Sequence, residues 1–511
     1  MSHLFTRLSV LLLTFMLSAV SSYAQATTDA PIHAMSWFES GFETLVLGIR
    51  SVLFYPMFSS YIEGGFPLLV LWLVLGGVYF TIVTGCVNIR LLAHAVPVTL
   101  GKYTKKDDAG EITHFQALST SISGTVGLGN IAGVSVAVAI GGPGAVVWMM
   151  IAGIFGMATK FAEATMGHKF RHINANGKVT AGAFLYLREG LANMKQAKLG
   201  NILAVIFAIC CLGGAFGAGN MFQSNQTVNI LSNTFLPGMG LEYMIALILA
   251  VCVGIVLIGG ISRIATVAEK IVPTMAVIYI LASITVLVVN ASFIPQAISA
   301  MFSGAFGGDA VYGGVIGALI MGFKRSAFSN EAGIGSASIV HPAARNSEPV
   351  RAGCTALLET FVDTMVICFL TGLVITVTGV YDSGLDPKNG IVMASAAFAT
   401  VIDWFPYILS ICVLFFAFST MITWSYYGER AWSFLFKGKY IIVYQVMFCV
   451  LVFFGGSANN AGLVLEFSDL LLFSMSVPNL IGLFLMTGLL RKEVKSYISR
   501  RNSGAFIDKT V

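Results

Sequence analysis

The feature that most constrains this chain is a series of long apolar stretches. A helix needs about 20 predominantly apolar residues to cross the hydrocarbon core of a bilayer. Charged residues make up only 10% of the chain, too few to cover the surface of a water-soluble protein of this length. The sequence therefore predicts an all-α polytopic membrane protein with about 11 transmembrane helices, and it excludes a soluble enzyme and a nucleic-acid binder. The stretches lie at about 66–88, 115–140, 143–168, 200–232, 241–260, 268–290, 310–340, 352–380, 404–433, 440–456 and 463–490.

The N-terminal segment differs from these stretches. Residues 1–26 contain a short basic region, an apolar run of about 13 residues and a small-x-small site at Ala24 and Ala26. This pattern is typical of a cleavable signal peptide, and an uncleaved first helix is the alternative. Residues 27–65 mix apolar and charged positions, which predicts an extracytoplasmic or interfacial segment. The transmembrane domain is then expected at 66–490, followed by a basic tail at 491–511.

Lysine and arginine residues indicate which side of the membrane each connection faces, because cytoplasmic loops carry an excess of them. If the mature N-terminus lies outside, Arg50 and Lys388 fall outside, and the other lysines and arginines of the connections and the tail fall inside. We therefore expect a cytoplasmic C-terminal tail and a location in a bacterial inner membrane. The eight cysteines lie in apolar runs and form no C-x-x-C pair, so neither a metal site nor a disulfide framework is predicted.

Two of the predicted spans are interrupted near their centres. Residues 124–133 contain four glycines, and residues 328–335 combine glycines with Asn330 and Glu331. Glycine costs about 1 kcal/mol in a helix, and an unsatisfied backbone group in hydrocarbon costs several kcal/mol. Such segments persist only where they line a wet or protein-buried cavity. Helix packing through small residues is the alternative, but it does not account for the polar side chains, among them Asn130.

The two interruptions lie five spans apart, which is the spacing of a five-helix unit repeated with inverted topology. The sequence therefore predicts a five-plus-five inverted repeat whose two broken helices meet near the bilayer midplane. In such a site the half-helix N-termini point at an anionic group, and freed carbonyls coordinate a cation. This organisation is typical of a secondary transporter, whereas an ion channel would need a continuous polar pore. The sequence carries none of the common hydrolase, metalloprotease or nucleotide-binding motifs, so we do not expect an enzyme.

Four motifs resemble those of the alanine or glycine:cation symporter family. They are TVGLGNIAG from Thr125, GGPGA from Gly141, FSNEAGIGSA from Phe328 and FSTMITWSYYGER from Phe418. The resemblance extends over nearly the whole mature chain. It implies the inverted-repeat fold of the amino acid–polyamine–organocation superfamily. It also implies sodium-coupled uptake of small neutral amino acids, chiefly alanine and glycine.

The two interruptions and this resemblance together predict where the substrate binds. The carboxylate would meet backbone amides of the first interruption, and the ammonium would meet carbonyls of the second. Phe328 and Trp424 would bound a small side-chain pocket, although Trp424 could instead be a core residue. Gln223 could contact the substrate or hydrogen-bond to another helix. The residues expected to bind substrate are Thr125, Gly127, Gly129, Asn130, Gln223, Phe328, Ser329, Gly333, Thr420 and Trp424.

Na⁺ is the expected co-transported ion. As a hard cation it prefers oxygen ligands. The resemblance favours a site formed by carbonyls of Thr125 and Val126 together with the hydroxyls of Ser419 and Thr420. The alternative is that both hydroxyls bond to preceding carbonyls of their own helix.

Charged residues inside the spans are candidates for function by default. The first expectation is that these charges form structural ion pairs with one another. Lys160 can pair with Glu163, and Glu359 and Asp363 are further carboxylates available to the buried cations. Proton coupling through Glu331 or Asp363 is the alternative, which makes a proton-coupled symporter on the same fold the main competitor. The expected partners are a small neutral amino acid and the lipid bilayer, with no nucleic acid. The oligomeric state is left open.

Overall fold

The structure is a computed structural model. It describes residues 48, 50, 56–57, 66–105, 107–257, 260–307, 314–401, 403–504 and 506. The predicted signal peptide at 1–26 and most of the predicted segment at 27–65 lie outside these residues. The fold is formed by the compact unit Phe54–Val511.

Helices make up most of the described chain, as the apolar stretches predict. Two short antiparallel pairs of strands accompany them, β1 (Pro56–Met57) with β2 (Phe66–Pro67) and β3 (His172–Ile173) with β4 (Val179–Thr180). The α-helices are α1 (Leu68–Val83), α2 (Val87–Arg90), α3 (Leu92–Thr99), α4 (His114–Thr125), α5 (Val134–Gly141), α6 (Gly144–Lys169), α7 (Ala183–Asn193), α8 (Ala197–Phe216), α9 (Phe222–Phe235), α10 (Glu242–Leu257), α11 (Gly260–Val289), α12 (Ile294–Phe306), α13 (Gly314–Asn330), α14 (Ala337–Val340), α15 (Pro349–Thr360), α16 (Phe369–Thr378), α17 (Gly390–Ala399), α18 (Phe405–Leu435), α19 (Ile441–Ser457), α20 (Ala461–Ser474), α21 (Ser476–Leu485) and α22 (Thr487–Asn502). The π-helical segments are Gly129–Gly133, Gly217–Met221 and Phe361–Cys368, and the 3₁₀ turns are Ala291–Phe293, His341–Ala343 and Val380–Asp382.

Several of these helices are long and apolar enough to cross a membrane. Within the described ranges there are six, or seven if the bent pair α4 and α5 counts as one span. Shorter apolar helices include α1, α10, α17 and α19. The structure thus confirms a multi-pass helical membrane protein, while the full predicted set of spans and the inverted repeat stay predictions. The six segments are Gly144–Lys169, Ala197–Phe235, Arg263–Val289, Pro349–Thr378, Phe405–Leu435 and Ala461–Leu485.

The first predicted interruption is confirmed between α4 and α5. Helix α4 begins with a capping box, in which Thr113 and Gln116 each accept a backbone N–H of the other at 3.0 Å. It ends at Thr125, and the following helical stretch Gly129–Gly141, formed by a π-helical segment and α5, is bent from α4 by 54°. The non-helical part is shorter than the glycine pattern indicates.

The second predicted interruption lies between α13 and α14. Helix α13 continues to Asn330, past Phe328, because the backbone still makes helical bonds, such as the 3.0 Å bond from the Glu331 N–H to the Ala327 carbonyl. Three residues beyond Asn330 then have positive φ, Glu331 at 59°, Gly333 at 94° and Gly335 at 89°. This left-handed backbone suits the two glycines and is uncommon for a glutamate.

Helix α6 lies close against the second interruption because it presents glycines there. A Cβ added at Gly156 would lie 2.9 Å from the Cβ of Ala332 in this interruption. One added at Gly153 would lie 2.7 Å from the Cγ2 of Thr364, in the neighbouring π-helical segment Phe361–Cys368. A larger residue at either glycine would force its neighbour to shift. The approach places the charged residues of α6 beside the interrupted backbone.

Candidate functional site

A small cavity lies between the two interruptions. Its volume is only about 10 Å³, which is about the room that one water molecule needs. Side chains must therefore move to admit an amino acid. Five of the residues expected to bind substrate line it. The lining residues are Gly124, Thr125, Gly129, Ala218, Gln223, Phe328, Glu331, Trp424 and Leu472.

Side-chain oxygens accept hydrogen bonds from two backbone amides of the first interruption. The Gly127 N–H donates to Asn130 Oδ1 at 3.0 Å, and the Leu128 N–H donates to Gln223 Oε1 at 3.2 Å. The side-chain Nε2 of Gln223 in turn donates to the backbone carbonyl of Ala218 at 3.0 Å. Gln223 therefore lines the cavity and bonds to the first interruption, while its contact with substrate stays a prediction.

Helix α18 reaches the first interruption through its hydroxyl residues. Ser419 and Thr420 each donate to the Phe416 carbonyl at 2.9 Å, which is the alternative arrangement expected for them. Thr420 also lies 3.0 Å from the Ser123 carbonyl. A Cβ on Gly127 would lie 2.6 Å from Thr420 Oγ1, so this glycine is needed for the close approach.

Trp424 forms one wall of the cavity and makes a bond that the sequence analysis did not foresee. Its indole Nε1–H donates to Glu331 Oε1 at 2.9 Å. A Cβ added at Gly219 would collide with the Trp424 side chain, so the π-helical segment Gly217–Met221 packs directly against the indole. Trp424 is 2% exposed.

Phe328 forms another wall and is held by a charged neighbour. The Arg325 guanidinium lies 5.1 Å from the centre of the Phe328 ring, and Phe222 meets the same ring edge-on at 5.3 Å. Asp469 pairs with both Arg325 and Lys324. Asp469 was not predicted, although a carboxylate inside an apolar stretch is a signal for such a role.

The charges of α6 hold the second interruption from one side. Lys160 pairs with Glu359 at 2.6 Å, rather than with Glu163, and also donates to the Asn330 carbonyl at 2.6 Å. Glu163 Oε1 accepts the Gly333 N–H at 2.9 Å. The expected pair within α6 does not form because the interrupted backbone offers the lysine a carbonyl and the glutamate an amide.

Asp363 connects the two interruptions. Its Oδ1 accepts from Asn130 Nδ2 at 2.6 Å, and its Oδ2 accepts from the hydroxyls of Ser329 at 2.8 Å and Thr364 at 2.9 Å. Asn130 and Ser329, expected to bind substrate, thus face Asp363 and are not among the lining residues of the cavity. Gly333 is also absent from that lining and bonds to the α6 side instead.

Comparison with known proteins gives a consistent set of similarities. The profile of a family described as the sodium:alanine symporter family matches residues 54–510. The sodium/alanine symporter AgcS of Methanococcus maripaludis is 39% identical over 450 residues, which are 88% of this chain and 97% of that protein. The probable sodium/glutamine symporter GlnT of Bacillus subtilis is 34% identical over 442 residues, 86% of this chain and 89% of that protein.

Among solved structures, MhsT in complex with L-phenylalanine is similar with a TM-score of 0.50 at 15% sequence identity. The similarity covers 75% of this chain and 99% of that chain. At this identity the likeness shows a shared fold and nothing about the ligand.

Proposed function

Because this chain belongs to the sodium:alanine symporter family, we propose that it couples the entry of Na⁺ to the uptake of small neutral amino acids, chiefly alanine and glycine. The observation that carries the proposal is the small cavity between two interrupted helices. Its lining combines the aromatic walls Phe328 and Trp424 with the polar groups of Thr125, Gln223 and Glu331. Such a mixture suits a small zwitterion, whose apolar part must be short.

The substrate carboxylate binds at the first interruption. The amides of Gly127 and Leu128 donate to side-chain oxygens of Asn130 and Gln223. A carboxylate oxygen is a stronger acceptor than an amide oxygen and takes over such donors. The ammonium then faces carbonyls at the end of α13, and Phe328 limits the side chain on the opposite side.

The sodium ion binds between the first interruption and α18. Carbonyl oxygens of Thr125 and Val126 supply part of the ligand set, and the hydroxyl oxygens of Ser419 and Thr420 supply the rest. The bonds of these hydroxyls to Phe416 are compatible with this role. A hydroxyl that donates its proton to a carbonyl keeps oxygen lone pairs for a cation.

The architecture that goes with this function is a five-plus-five inverted repeat of about 11 spans in a bacterial inner membrane. The N-terminus is outside and the basic tail is cytoplasmic. The fold shared with MhsT and the two interrupted helices support this arrangement. Proton-coupled symport is the second candidate, because Glu331 and Asp363 are buried carboxylates beside the cavity and the interruptions.

Uptake of labelled alanine into proteoliposomes tests the proposal and separates the two candidates. An inward Na⁺ gradient should drive alanine accumulation. An inside-negative potential of about 100 mV should add roughly 2.3 kcal/mol for each net charge that enters, about 50-fold in accumulation. Vesicles with equal Na⁺ on both sides and no potential are the control. If a proton gradient without Na⁺ drives uptake equally well, sodium coupling is wrong and the proton-coupled candidate is favoured.

A further inference from the structure

Glu331 is the ionisable side chain among the residues that line the cavity. It is 2% exposed, and both carboxylate oxygens are held by neutral donors. Oε1 accepts from Trp424 Nε1 at 2.9 Å, and Oε2 accepts from Ser336 Oγ at 2.5 Å. The two bonds fix the direction of the carboxylate from opposite ends.

The backbone also holds Glu331 in place. Its φ of 59° lies in the left-handed region, where a glutamate is uncommon and its backbone is strained. Lys160 binds the carbonyl of the preceding residue, Asn330, at 2.6 Å. The strained residue is thus supported on its N-terminal side by a buried cation, and the strain coincides with the cavity.

Among the buried carboxylates near the interruptions, Glu331 lines the cavity and the other three do not. Glu359 pairs with Lys160 and His341, Glu163 accepts the Gly333 amide, and Asp363 accepts three side-chain donors. In the described part of the chain, the ion pairs include Glu359 but not Glu331. A carboxylate has about four acceptor sites. Two are used, so the remaining lone pairs can accept donors in the cavity.

A buried carboxylate without a cation at ion-pair distance is costly, and the ammonium group of a zwitterion can supply that cation. We propose that Glu331 binds the ammonium group of the substrate and thereby selects amino acids over carboxylic acids that lack the amine. This inference rests on the proposed function and adds a charged partner to the carbonyls at the end of α13. Trp424 has two roles in this proposal. Its ring forms one wall of the cavity, and its indole N–H orients the carboxylate of Glu331.

The test compares two ligands in two proteins. L-Alanine and L-lactate share a carboxylate and a methyl group, but lactate has a hydroxyl in place of the ammonium. Sodium-driven uptake of labelled alanine in proteoliposomes, with lactate as competitor, is measured for the parent and for Glu331→Gln. Removing the charge should raise the alanine half-saturation concentration by about 10- to 100-fold, the size expected for a lost charge-assisted bond. Lactate, repelled by the carboxylate in the parent, should compete as well or better in the variant.

Glu163→Gln is the matched control, because it neutralises another buried carboxylate at the same interruption that does not line the cavity. It should change the half-saturation concentration of alanine and the concentration of lactate needed to compete by the same factor. If Glu331→Gln also affects both ligands in proportion, Glu331 has a structural role and the inference is wrong. Failure of the parent to take up alanine with Na⁺ would instead contradict the proposed function.

Two further measurements apply if Glu331→Gln does not reach the membrane. Glu331→Asp keeps the charge and should keep the preference for alanine over lactate, with weaker binding of alanine. In the unmutated protein lactate should compete far less well than alanine. Equal competition by lactate would overturn the inference without any variant.

Discussion

At the scale of single residues, the side chains near the interruptions fall into two groups, those that line the cavity and those that bond to Asp363. Gln223, Phe328 and Trp424 were expected at the cavity and line it. Asn130 and Ser329 were expected there as well, but both face Asp363. Their partner lies on the π-helical segment Phe361–Cys368, and such pairing depends on helix packing rather than on local spacing. The bond between Trp424 and Glu331 was unforeseen for the same reason.

Ser419 provides a residue-scale test of the sodium site. Ser419→Ala removes one of the oxygen ligands that we propose for the ion, and losing a charge-assisted contact costs about 1.5–3 kcal/mol. The sodium half-saturation concentration for alanine uptake should therefore rise about 10- to 150-fold. High sodium should partly restore the apparent alanine affinity, because the coupling between the two ligands is reciprocal.

Ser425→Ala is the control for this change. Ser425 lies in the same helix and donates to the carbonyl three residues before it, Ile422, at 2.7 Å, as Ser419 does to Phe416 at 2.9 Å. It is not assigned to the ion, so its loss should leave the sodium dependence close to that of the parent. An unchanged sodium dependence in a Ser419→Ala protein that still transports would remove Ser419 from the site.

At the scale of elements, the sequence predicted both interruptions but not their lengths. Glycine content indicated a break at 124–133, yet most of that stretch is helical of one kind or another, because a π-helical segment follows Leu128. The break at 328–335 starts later, since α13 keeps its hydrogen bonds through Asn330. The π-helical segment Gly217–Met221 was not predicted.

Gly219 tests what this unpredicted segment does. Gly219→Ala would place a methyl group against the Trp424 side chain, and overpacking of this kind costs about 1–3 kcal/mol. The indole must shift, and its bond to Glu331 should weaken. We expect the alanine half-saturation concentration to rise while the variant still inserts into the membrane. Gly488→Ala is the control, because a Cβ there meets no atom within 4 Å. Parent-like transport by Gly219→Ala would show that the contact has no role in the pocket.

At the scale of the whole molecule, composition alone was enough to predict a polytopic helical membrane protein. The described chain contains helices that fit this class. The number of spans is harder to read from sequence and structure alike, because α1, α10, α17 and α19 are shorter than a full crossing. Broken and short helices satisfy their exposed backbone through neighbouring helices, and hydropathy does not register such contacts.

Processing of the N-terminus is a whole-molecule prediction. The apolar run of residues 1–26 and the small residues Ala24 and Ala26 should direct cleavage after Ala26. Mass spectrometry of the membrane-inserted protein should then find Thr27 as the first residue. Ala24→Leu should block processing, because the cleavage site requires small side chains. An intact Met1 in the unmutated protein would instead indicate that this segment is an uncleaved helix.

The narrowness of the cavity between the two interruptions has a consequence for the cell. At about 10 Å³ the cavity is smaller than an amino acid, so it is not an open pore in this conformation. Any cargo must first displace the side chains that line it. A carrier that opens only around its cargo leaks few ions when it is idle, and it therefore preserves the membrane potential.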